Sequence, residues 1–159
     1  SWHRTFGFPG MITNCSNNFG PGQNAEKLIP TIVNSLVAGR KIPIYGTGEN
    51  IRDWLFVDTH VAYLEAVMNG GQLGRNYLIG GDMELPNLEL LKRIHALFNG
   101  RRPDQAKDFD DVFEFVTDRK GHDQRYAIDT SRLKAKFPDI ACIDFDAALG
   151  QTVDFYLQR

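Results

Sequence analysis

Short apolar runs of strand type alternate with segments whose apolar residues recur every three or four positions, and glycine closes most of them. No other feature restricts the fold as much. Strands separated by helical returns pair in parallel, and helices must then cover their apolar faces. Residues 10–15 read as a short buried strand. A loop rich in Gly, Pro and Asn follows. Leu28, Ile29, Ile32, Val33, Leu36 and Val37 then recur at helical spacing up to Gly39, which should close that helix. Ile42-Pro43-Ile44-Tyr45 is a strand ended by Gly46 and Gly48, and 51–57 is another extended run. Asp58 is placed to cap a helix through Val61, Leu64, Ala66 and Val67, stopped by Gly70-Gly71. Asn76-Tyr77-Leu78-Ile79 is a strand, and a helix from about residue 88 should end at Asn99-Gly100. A strand at 112–116, a short helix capped by Asp129 or Thr130, and a last helix opened by Asp144 complete the pattern. Residues 1–6 read as the end of a helix that begins before the chain does. The class is α/β, and 159 residues suit a single domain with a modest core.

Charge excludes several partners. Eighteen basic and 20 acidic side chains leave a net charge of -2, so neither nucleic acid nor an anionic membrane is indicated. No apolar run approaches the roughly 20 residues that span a bilayer, and residues 1–5 lack the apolar stretch of a signal peptide, so a cytoplasmic location is expected. Cys15 and Cys142 stand far apart and read as reduced thiols, buried or half-buried. No metal set is expected from His3, His60, His95 and His122, and no serine sits in a nucleophile elbow. No GxGxxG, P-loop or YxxxK occurs, so a dinucleotide half, if one belongs to this chain, would lie upstream of Ser1.

Three clusters carry polar chemistry. Asn17-Asn18-Phe19-Gly20-Pro21 leads into Glu26-Lys27-Leu28-Ile29-Pro30, where amides and a lysine near a helix start suit an anion such as a diphosphate. Pro43-Ile44-Tyr45-Gly46 precedes Ile51-Arg52-Asp53-Trp54. A proline and a tyrosine on a strand edge can sandwich a flat base, and the planar Arg52 fork matches phosphate oxygens. Arg119-Lys120-Gly121-His122-Asp123-Gln124-Arg125-Tyr126 gathers three cations and a histidine around a glycine turn. Each cluster alone also fits a bland role: a polar turn, a surface charge run, or Tyr45 and Trp54 as core with Arg52 and Asp53 paired elsewhere.

In combination and order, these segments resemble the dTDP-glucose 4,6-dehydratases, within the extended short-chain dehydrogenase/reductase family. The resemblance covers essentially the whole chain. The Arg52-Asp53-Trp54 strand is shared with UDP-glucuronate decarboxylases, whereas the Asn17-to-Pro21 loop, Glu26-to-Pro30 and Gly121-to-Asp129 together favour the dehydratase. The resemblance implies the C-terminal, sugar-nucleotide-binding part of an extended Rossmann-type enzyme, with the last strands of its parallel sheet and without its NAD-binding half. It implies a dTDP-hexose substrate, NAD as cofactor and a homo-oligomer in the intact enzyme, with no catalytic residue in this chain. By the same resemblance, Asn17, Lys27, Leu28, Pro43, Tyr45, Arg52, Asn87, Arg119 and His122 contact the substrate and Asn18 the nicotinamide end of NAD. Asn87 also fits a plain helix N-cap. Lys120 and Gly22-Gln23-Asn24-Ala25 depart from the family pattern. A UDP-sugar decarboxylase or epimerase, or a chain without activity of its own, are the alternatives.

Overall fold

The structure is a computed structural model, and residues 1–158 are described. Its elements are α1 (Trp2–Phe6), β1 (Ile12–Cys15), β2 (Asn17–Phe19), α2 (Leu28–Val37), β3 (Ile42–Tyr45), β4 (Ile51–Phe56), α3 (Val57–Gly70) and β5 (Asn76–Ile79). There follow β6 (Glu84–Pro86), α4 (Asn87–Arg101), a single 3-10 turn (Pro103–Gln105), α5 (Phe109–Val112), β7 (Phe113–Val116), β8 (Arg125–Tyr126), α6 (Ser131–Lys136) and α7 (Phe145–Leu157).

Three small sheets form. β1 pairs in parallel with β5, and β3 in parallel with β7. Between them β4 is the hub: β2 and β8 lie parallel to it and β6 antiparallel. The helices α2, α4 and α7 pack together over the hub and β3. The apolar stripe of α2 explains this, because Ile29, Ile32 and Val33 are fully buried. Each such side chain gains about 1.5–3 kcal/mol relative to exposure. A second, smaller core joins Leu55 of β4, Tyr63 and Val67 of α3, Tyr77 and Ile79 of β5, and Leu133 of α6. β4 therefore serves both cores, one from each face.

Local signals act as their chemistry dictates at two helix ends. Gly39 adopts a left-handed φ of 63° after α2, its N–H bonds the Leu36 carbonyl and that of Arg40 the Ser35 carbonyl, closing a Schellman turn. Asp144 caps α7, accepting from the Ala147 N–H at 3.0 Å.

Several expectations require correction. β1 is not buried: Ile12 is 63% exposed, because β1 has β5 alone as a partner and no described element covers that face. Asp58 does not cap α3; Phe56 stands at the cap and Asp58 lies in the first turn, where its charge suits the helix dipole. Helix α4 begins at Asn87 and runs through Gly100 to Arg101, with Pro86 at its N-cap. Strand β7 starts one residue later than expected, since Phe109–Val112 is helical. Thr130 takes the cap position of α6, but the Asp129 carboxylate receives the Ser131 N–H, so both residues act there. Cys15 is half-buried, whereas Cys142 is exposed; both thiols are free.

Candidate functional site

The predicted clusters converge on one cavity of about 430 Å³, walled by β3, β4, β2, the starts of α2 and α4, and the turn after β7. That volume lies in the usual range for small-molecule sites. A smaller hollow of about 180 Å³ near β5 and α6 gathers Arg75, Arg132 and Lys136 but none of the predicted residues.

Strand periodicity places the first group. On β3, Ile42 and Ile44 turn into the core, and Pro43 and Tyr45 take the exposed face. Tyr45 and Pro43 are both in the cavity wall, and the Arg119 guanidinium carbon sits 5.4 Å from the centre of the Tyr45 ring. That is a cation–π arrangement, which orders the ring and keeps the arginine in the wall.

Arg52 is the most informative residue. Its Nη1 donates to the Ile51 carbonyl at 2.7 Å and its Nη2 to the Asp123 carbonyl at 2.9 Å. Both acceptors are neutral. Among the described residues no carboxylate lies within ion-pair distance of it. The guanidinium is thus aimed but not compensated, the condition under which a fork receives a ligand anion. Asn50 helps, donating from Nδ2 to the same Asp123 carbonyl at 3.2 Å.

His122 closes the same wall. Its Nδ1–H donates to the Asp118 carboxylate at 2.7 Å, and only 7% of its side chain is exposed. The Asp118 oxygen also receives the Arg119 N–H at 2.7 Å. The His122 bond, followed by the backbone bond, holds the Asp118 carboxyl below its ordinary range. Asp118 therefore fixes one tautomer of His122 and leaves Nε2 as the ring atom for a ligand. Sequence reasoning passed over Asp118; its signal was the four-residue spacing to the histidine.

The two asparagines of β2 separate by the two-residue period of a strand. Asn17 lies in the cavity wall, in register with Trp54 of β4. Asn18 faces away, donating from Nδ2 to the Ser16 carbonyl at 3.2 Å and accepting from His60 Nδ1 at 2.8 Å. Burial lowers the His60 pKa from its ordinary 6.5, so the ring is neutral at pH 7 and its Nδ1–H points to Asn18. The folded value being the lower one, the neutral ring contributes stability fully above pH 6.5 and loses it as pH falls through the folded value. Proton NMR of the imidazole should show a midpoint below 6.5; a midpoint above it would contradict this placement.

Asn87 is in the wall, and its Oδ1 is buried with no partner among the described residues. It is not a cap. The first N–H groups of α4 are satisfied instead by the turn before β4: Asn87 N–H bonds the Asn50 carbonyl and Leu88 N–H the Gly48 carbonyl. The side chain is left to the cavity. Leu28 and Glu26 also line it, whereas Lys27 stands just outside, exposed, at the N-cap of α2. All the substrate-binding candidates except Lys27 thus share one wall, with Asn18 on the reverse face of β2.

Comparison with known proteins bears on the fold and the family. The model of the family described as GDP-mannose 4,6 dehydratase matches residues 1–147. The chain belongs to that family. It is 47% identical over 160 residues to a dTDP-glucose 4,6-dehydratase of Haemophilus influenzae, covering 99% of this chain and 47% of the relative. The crystal structure of a dTDP-glucose 4,6-dehydratase of Bacillus anthracis in complex with NAD superposes with a TM-score of 0.88 at 38% identity, over 99% of this chain and 47% of that one. The dTDP-glucose 4,6-dehydratase of Streptomyces venezuelae, with NAD and TYD bound, gives 0.87 at 37%, over 99% and 46%. A UDP-glucuronic acid 4-epimerase of Bacillus cereus shares the fold at 18% identity. The chain spans about half the length of the curated relatives it matches. The resemblance read from the sequence therefore holds, in fold as in family.

Proposed function

We propose that this chain is the substrate-binding domain of a dTDP-glucose 4,6-dehydratase and holds the nucleotide of dTDP-glucose. The supporting observation is Arg52: a guanidinium fixed by two neutral carbonyls, without a counter-charge, in the cavity that also holds Pro43 and Tyr45. In this reading Pro43 and Tyr45 flank the base, and Arg52 and Arg119 receive the diphosphate. His122, fixed by Asp118, offers Nε2 from the turn that covers it, and Asn17, Leu28 and Asn87 make further contacts. Lys27, exposed at the start of α2 between two lining residues, is the remaining contact in this reading.

The reaction converts dTDP-glucose to dTDP-4-keto-6-deoxyglucose and water, and no acid or base for it is assigned to these residues. NAD supplies the hydride acceptor and donor when bound. Asn18 fits a contact to it: its carboxamide is aimed by Ser16 and His60, and Nδ2 keeps a second N–H to donate. The intact enzyme is read as a cytoplasmic homo-oligomer. No helix among the described residues is long and apolar enough to cross a membrane.

A UDP-sugar enzyme of the same fold is the alternative, and a thymine methyl alone separates the bases by only about 0.8 kcal/mol. Incubating the intact protein with dTDP-glucose, UDP-glucose and UDP-glucuronate decides between them. Mass spectrometry should show loss of one water from dTDP-glucose alone. Conversion of a UDP-sugar in its place rejects the proposal. In a parallel thermal-shift titration, dTDP should stabilise the intact protein by about 2.7 kcal/mol at a hundred times its Kd. No shift at saturation would mean that the cavity is not a nucleotide site.

A further inference from the structure

We infer that Trp54 is a ligand residue, its indole N–H donating to an oxygen of the bound nucleotide sugar. This rests on the reading above and adds a residue to it.

Trp54 has the character of core at first sight. It is 4% exposed, packs edge-on against Phe19 with ring centres 6.3 Å apart, and belongs to the main cluster. An indole used only as packing needs a partner for its one donor, because an unpaired buried N–H costs free energy. Trp54 Nε1 is buried and has none among the described residues. A phenylalanine would fill such a place without that cost.

The strand explains where the donor is presented. Arg52 and Trp54 are two residues apart on β4 and so share a face, and both are in the cavity wall. Trp54 is in register with Asn17 across the β2–β4 pair, so these two side chains are direct neighbours on that face. The backbone of Trp54 is occupied elsewhere: its N–H bonds the Met83 carbonyl at 3.0 Å, and its carbonyl lies against Gly81. The unsatisfied group thus belongs to the side chain, which shares its strand face with Arg52 and is in register with Asn17. A second buried polar atom on the same wall, Asn87 Oδ1, also lacks a partner. A donor and an acceptor left open around one cavity match a ligand rich in hydroxyl and phosphate oxygens.

The test uses Trp54→Phe in the intact protein, which deletes the N–H and keeps an aromatic ring in the core. Calorimetry should show dTDP-glucose binding weakened at least fivefold. The same loss with dTDP places the acceptor on the nucleotide; a loss confined to dTDP-glucose places it on the hexose. A sulfur isostere of tryptophan, benzothienylalanine at position 54, preserves the packing more closely and should show the same loss, so a poorly folded phenylalanine variant does not end the test. In the unsubstituted protein, the indole N–H resonance of Trp54 should move downfield and exchange more slowly when dTDP-glucose is added. Unchanged affinity in the isostere, or an unmoved resonance at saturation, overturns the inference. Failure of the unsubstituted protein to bind dTDP-glucose removes the functional reading and this inference together.

Discussion

Arg52→Ala should weaken dTDP binding by the intact protein more than tenfold in calorimetry at fixed ionic strength. A tenfold loss corresponds to about 1.4 kcal/mol, and a hydrogen bond to a charged group contributes about 1.5–3 kcal/mol. The estimate is conservative, because removal leaves a diphosphate charge facing a wall with one cation fewer. Among the described residues of the wall, Arg119, engaged over Tyr45, is the arginine that remains. The fold itself should tolerate the change. Arg52 bonds only two carbonyls, those of Ile51 and Asp123, and it is only half-buried, so both acceptors can take water. Its melting temperature should therefore stay close to that of the unsubstituted protein. Arg52→Lys should restore part of the affinity, since a point charge lacks the planar fork. Unchanged affinity in the alanine variant would remove Arg52 from the site and leave its uncompensated charge without a purpose.

The order of motifs made most of this site legible in the sequence, and strand period accounts for part of it. Pro43 and Tyr45, and likewise Arg52 and Trp54, are spaced so that a strand must present them together, whatever lies around it. Asn17 and Asn18 read as loop in the sequence, so the same rule separates them only once Asn17–Phe19 is seen to be a strand. Tertiary pairing was not legible. Strand β6 has three residues, one of them Pro86, and exists because it lies against β4, about thirty positions earlier in the chain. Asn87 fits an N-cap by type, yet the turn at Gly48 and Asn50 takes over the helix start and releases its side chain. Residues 10–15 have the apolar character of a buried strand, but burial depends on a covering element, and none of the described ones covers Ile12. Lys27 was carried over by pattern, and the helix start points its neighbours Glu26 and Leu28, not the lysine, into the wall.

Asp53→Ala should destabilise the protein by about 3 kcal/mol in denaturant unfolding and disturb the site from below. Asp53 is 1% exposed, on the face of β4 opposite Arg52. Its Oδ2 receives the Gly81 N–H at 2.9 Å and its Oδ1 the Met83 N–H at 2.8 Å. These bonds hold the bend that carries Asp82 at a left-handed φ of 52°. The packing there allows no substitute at Gly81, where an added Cβ would run into the Trp54 carbonyl oxygen. Alanine leaves two part-buried backbone donors unpaired, each costing about 1–3 kcal/mol. Asparagine separates shape from chemistry. It fills the same space but has one acceptor oxygen, and its NH2 group would confront a backbone N–H. Asp53→Asn should therefore lose most of what alanine loses, although no cavity is made. Because Arg52 and Trp54 flank this residue, both variants should also bind dTDP more weakly than their remaining folded fraction accounts for. If Asp53→Asn unfolds at the same denaturant concentration as the unsubstituted protein, the carboxylate is not what holds the Gly81–Met83 bend against β4.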